Sequence, residues 1–181
     1  DEAFELLTAK GDFNNWKNYL IIANNIMSKG DINTIERAKE AVRLFPTNSD
    51  IKSLFNTIAI GQENINEAQK LSNLALTNFN QQDYVQAAAN FEKAIALNPY
   101  EYAFYENAAT SNYLTGDLNK ALEQIDKVIN EMNPLNGKCE YIKALIFIKM
   151  GDPIGACPLL ATSRDSGYGQ AEGTFNQYCK N

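Results

Sequence analysis

The chain is a succession of amphipathic stretches of helical period, separated by short polar turns. The run "DYVQAAANFEKAIALNP", Asp83–Pro99, shows the form: apolar residues return every three or four positions and a proline closes the series. Its inward face carries Ala87, Ala88 and Ala94, small side chains that admit a second helix backbone at close range. Helices are also expected near 2–10, 12–28, 31–45, 49–61 and 65–81, and a last one through Ala171, Phe175 and Tyr178. The longest apolar runs, "YLIIA" and "ALIFI", are of core size, far below the ~18 residues that a membrane-spanning helix needs.

The pattern repeats. "GDLNKALEQIDKVINEMNP", Gly116–Pro134, and "GDPIGACPLLATSRDSG", Gly151–Gly167, echo the first run. Asp83, Asp117 and Asp152 stand 34 and then 35 residues apart, as do Ala87, Ala121 and Ala156, and Ala94, Val128 and Ser163. Ala75, Ala109 and Ala144 keep the same spacing on a preceding helix. Small residues in register on both helices make each helix the close partner of the other in one hairpin, and the hairpin recurs. Gly116 and Gly151 suit the left-handed end of a first helix, the following aspartates cap the second, and Pro99 and Pro134 stop it.

In period and residues this unit resembles the tetratricopeptide repeat (TPR) family over roughly 68–165. The residues that carry the likeness are Leu74-Ala75, Asp83-Tyr84, Ala87, Phe91, Ala94 and Pro99 in the first copy. Ala108-Ala109, Gly116-Asp117, Ala121, Ile125, Val128 and Pro134 follow in the second, and Lys143-Ala144, Phe147, Gly151-Asp152, Ala156 and Leu160 in the third. The third copy departs at Ser163 and lacks the closing proline. The resemblance implies an all-α, right-handed superhelical solenoid with repeats at about 68–101, 102–136 and 137–166. Degenerate hairpins over 1–66, where "ERAKEAVRLFP" looks like a second helix, would precede these three repeats of segment 67–165. A capping helix within 167–181 would follow, in one continuous domain. The tail, "GAC…L…GY…A…YCK", is similar to those of TPR proteins from Bacteroidetes-like bacteria. Its Gly167-x-Gly169 spacing also imitates a nucleotide loop, but such a loop follows a strand and this one follows a helix.

Composition then removes whole function classes. There is no histidine, which eliminates Ser-His and Cys-His catalysis and histidine metal sites together. A net charge of −6 with scattered lysines and arginines argues against nucleic acid, because phosphate binding needs a basic face. No cofactor, metal or enzymatic activity is expected. The charges at Glu36, Lys39, Glu40 and Arg43 read as a solvated helix face. The sequence opens at Asp1 without a methionine, from which an excised mature region or domain is expected.

Three cysteines stand at Cys139, Cys157 and Cys179, without metal-ligand spacing. If the last second helix and the terminal helix form an antiparallel hairpin turning near Ser166-Gly167, Cys157 and Cys179 fall nearly opposite. Two readings stand side by side: a disulfide that clamps the cap and leans the chain towards a bacterial periplasm or envelope, or two buried thiols that pack as small apolar groups.

Carrying the family pattern over places a ligand groove on the free side of the first helices. Those positions are Leu76, Phe79 and Asn80, then Glu106, Thr110 and Tyr113, then Lys138, Tyr141, Leu145 and Ile148. The competing reading is that this stripe packs against neighbouring helices. A clamp for carboxylate tails, known in one TPR subclass, does not fit: Ser72, Leu76 and Ile142 stand where donors are needed, and only Asn107 and Lys138 match. The expected function is a non-catalytic scaffold or adaptor binding a protein segment, a peptide or helix. The alternatives are a soluble domain of a larger envelope protein, such as a glycan polymerase or ligase, and a self-assembly module forming homo-oligomers.

Overall fold

A computed structural model describes residues 13–26, 32–132 and 136–180. The expected helix at 2–10, the "KGDF" and "KGDI" turns and the stop at Pro134 lie wholly or largely outside the described residues. Within them the chain forms ten α-helices and no strand, in two compact units, 1–67 and 68–181. It is an all-α helical-repeat fold.

The first unit contains α1 (Phe13–Ile26), α2 (Ile32–Leu44) and α3 (Ser49–Ile60). Trp16, Leu20, Ala38, Ala41, Ile51, Phe55 and Ile58 form its core. On α2 the buried alanines are flanked by charge: Lys39 pairs with Glu36 at 2.8 Å and Arg43 with Glu40, both on the solvent side. Asn48 starts α3 by accepting hydrogen bonds from the backbone N–H groups of Asp50 and Ile51.

The second unit takes in most of α4 (Gln62–Asn80) and then α5 (Tyr84–Leu97), α6 (Tyr102–Thr115), α7 (Leu118–Lys127), α8 (Lys138–Lys149), α9 (Pro153–Asp165) and α10 (Ala171–Cys179). Each expected cap is present. Asp83, Asp117 and Asp152 accept from the N–H groups of Gln86, Lys120 and Gly155 at 3.1, 3.3 and 2.8 Å. Gly116 and Gly151 end α6 and α8 at φ of 92° and 90°, and Gln82 occupies the matching place after α4 at φ 63°, where its Cβ is crowded. Beyond α7 the chain stays helical through Met132, as its sequence pattern suggests, but Val128–Met132 winds as a π-helical turn.

The repeat register is a burial register. Ala75, Ala109 and Ala144, with Ala87, Ala121 and Ala156, and Ala94, Val128 and Ser163, are all fully buried. Phe91, Ile125 and Leu160 recur beside them, also fully buried. At Ser163 the hydroxyl finds a partner, donating to the Gly137 carbonyl at 2.6 Å.

A second periodicity is polar. Asn90 donates to Asn78 across the first hairpin at 3.0 Å, and 34 residues on Asn112 donates to Gln124 across the second at 2.9 Å. The third hairpin puts Phe147 and Leu159 there, packed on an apolar cluster. Because Asn112 and Gln124 are both buried, Gln124→Leu strands the Asn112 amide and should destabilise by about 1–3 kcal/mol in urea melts. Converting both to apolar residues, as the third hairpin does, should recover most of that loss. A single-variant loss as small as that of a surface control would contradict the reading.

Candidate interaction face

The first helices α4, α6 and α8 place the groove positions at equivalent points of three hairpins. Leu76 is 41% exposed and Leu114, also on this side, 40%. Asn80 is exposed, while Thr110 and Leu145 are half-buried. The Thr110 hydroxyl is turned back onto its own helix, donating to the Glu106 carbonyl at 2.8 Å.

Phe79, Tyr113 and Ile148 are half-buried and serve as edges of the cores. Phe79 packs against Ala75, Ala87, Phe91 and Ala108 and meets the Tyr84 ring edge-on at 5.1 Å. Tyr113 packs on the cluster around Ala109 and Ile125, and Ile148 on that around Ala144 and Leu160. Burial, with smaller contributions from Tyr141 and Tyr178, pushes the Tyr113 hydroxyl above its ordinary pKa. Tyr141 itself is held at the far end: its hydroxyl lies 3.2 Å from that of Thr174, and its ring 5.1 Å from that of Tyr168.

The charged groove candidates are engaged elsewhere. Glu106 is 3% exposed, so the carboxylate expected on the groove is instead buried at the α6–α8 seam. It accepts from Lys138 Nζ at 2.9 Å, from the Cys139 thiol at 3.0 Å and from the Asn136 amide at 3.4 Å. Burial first, then that hydrogen bond, pushes the Cys139 thiol far above its ordinary pKa and leaves it protonated. At the opposite end of α8, Lys149 donates to the Tyr113 carbonyl at 2.7 Å and lies 4.5 Å from its ring centre. Two lysines thus staple the ends of α8 to α6.

What this face offers is therefore apolar, with neutral amides beside it. Among the described residues no three His, Cys, Asp or Glu side chains gather in a metal-binding group, and no helix is long and apolar enough to cross a membrane. Cys157 and Cys179 form a disulfide, with Cα atoms 5.7 Å apart, joining α9 to α10. The buried Glu106 hub and the Lys149 staple escaped sequence reasoning. The amide pairs did leave a signal in the 34-residue recurrence of Asn78 with Asn112 and of Asn90 with Gln124.

Comparison with known proteins agrees with this architecture. Residues 62–101, comprising α4 and α5, match the family model of the tetratricopeptide repeat. No curated protein matches the chain in sequence. Among solved structures it is similar to the TPR domain of Sgt2 from Aspergillus fumigatus, with a TM-score of 0.56 and 19% identity over 62% of this chain and 76% of that one. At that identity the likeness is one of fold.

Proposed function

We propose that the second unit is a protein-binding scaffold that receives a peptide or helix along α4, α6 and α8. One observation carries this reading. Leu76 and Leu114 stay about two-fifths exposed on the face whose lysine and glutamate candidates are committed to internal pairs. Exposed apolar side chains on successive first helices suit a segment laid across them. Phe79, Tyr113 and Ile148 belong to the hairpin edges, so Leu76, Thr110 and Leu145, at equivalent positions, are the residues that a ligand would meet. In the same proposal the three repeats run 68–101, 102–136 and 137–166, and α10 is a terminal cap of the Bacteroidetes-like type.

The test is capture from the native organism's lysate followed by affinity measurement with the recovered partner. Leu76→Glu and Leu145→Glu should each weaken binding at least tenfold with helicity unchanged. Val85→Glu, at a 64% exposed site on a second helix, should leave it intact. Binding indifferent to both groove charges would end the proposal.

A further inference from the structure

α10 is a poorly secured helix. It has nine residues, too few to be stable alone in water, and Gly173 in its first turn lowers its propensity further. Gln170 before it provides no side-chain cap, and only Ala171 is buried. Its docking rests on Phe175 and Cys179 against the cluster of Ala144, Ala156 and Leu160, on the Arg164 guanidinium 4.7 Å from the Phe175 ring, and on the Tyr141–Thr174 hydroxyl pair. Arg164 also pairs loosely with Glu172 at 3.8 Å, and the last tie is covalent, the Cys157–Cys179 bond at the helix's last residue.

What α10 covers is recognisable from the repeat. In the first hairpin, Ala75, Ala87 and Phe91 are covered by Ala108 of α6. The equivalent patch of the third hairpin, Ala144, Ala156 and Leu160, is covered by Phe175 of α10. The cap thus fills the place of a following first helix.

We infer that the Cys157–Cys179 bond holds α10 in that place, and that its reduction uncovers the terminal face, making the cap a thiol-controlled cover. The reductant is a dithiol. One of its thiolates attacks a sulfur of the bond to form a mixed disulfide, and its second thiolate displaces the protein sulfur. Two electrons and two protons pass to the protein, leaving two cysteine thiols and an oxidised, cyclic dithiol. Cys139 does not intercept the exchange, because it is fully buried at the α6–α8 seam and held as a thiol by Glu106. The inference is independent of the groove proposal.

Hydrogen exchange read by mass spectrometry on the full chain, with and without dithiothreitol, tests it. Reduction should accelerate exchange of the α10 amides on the order of a hundredfold, the ratio expected for releasing a cross-link that closes a 22-residue separation. Protection of α6 to α9 should persist, and native alkylation should label Cys157 and Cys179 but not Cys139. The Cys157→Ser/Cys179→Ser double variant should reproduce the fast exchange without reductant. Phe175→Ala in the oxidised chain should change it only a few-fold. Unchanged α10 protection after reduction would show that packing suffices and overturn the inference. So would loss of protection throughout α8 and α9, or a Phe175→Ala effect as large as reduction.

Discussion

Phe91→Ala is expected to destabilise the second unit by about 3–5 kcal/mol, a large part of the stability of an ordinary domain. The loss falls at the upper end because of the neighbours. Phe91 is fully buried, and three of its neighbours, Ala75, Ala87 and Ala108, cannot extend into the space vacated. A leucine-rich surround could collapse; an alanine-lined one leaves a cavity. Urea denaturation followed by helicity should show the transition moving to lower denaturant, and Val85→Ala, on the exposed side of the same helix, should stay within about 0.5 kcal/mol of wild type. A loss below about 1 kcal/mol for Phe91→Ala would mean that the hairpin relaxes around the hole and that the close alanine contact is not rigid.

Lys138→Ala is expected to cost about 3 kcal/mol, more than removal of the partner carboxylate. The asymmetry follows from burial. The Glu106 side chain is 4% exposed and cannot reach water, whereas that of Lys138 is 32% exposed and can turn outward. Removing the lysine therefore leaves a buried carboxylate served only by the Cys139 thiol and the Asn136 amide. Glu106→Leu frees the lysine to solvent and should be the milder change. In the double variant Glu106→Leu/Lys138→Ala the two losses should combine to less than their sum, since the charge that Lys138→Ala strands is gone. Strict additivity in that cycle would show that the pair is not coupled and that the seam is held by packing.

Much of the fold was legible in the sequence because it is local and periodic. A cap needs one aspartate beside a helix start, and Asp83, Asp117 and Asp152 announce themselves. Close helix contact needs small residues, and the nine positions in register are all buried. The π-helical turn at Val128–Met132 was not legible, since Ile125, Val128, Ile129 and Met132 keep the three- and four-residue spacing of an ordinary α-helix. The face was legible as a stripe but not as an assignment of roles. Leu76, Phe79 and Tyr113 carry similar apolar character, yet Leu76 is exposed while Phe79 and Tyr113 pack into core edges.

The sequence by itself determined the helices, their caps, the pairing of neighbours into hairpins and the repeat register, because each rests on residues close together in the chain or on a period that recurs along it. Tertiary structure alone decided where the polar groups are spent. Glu106 meets Lys138 and Cys139 across 32 and 33 residues, and Lys149 reaches Tyr113 across 36. No local pattern encodes these contacts, since they depend on how one hairpin rotates against the next. The cysteines belong to the same class: spacing allowed either a bond or two thiols, and only the approach of α10 to α9, with Cα atoms 5.7 Å apart, brings the two sulfurs together.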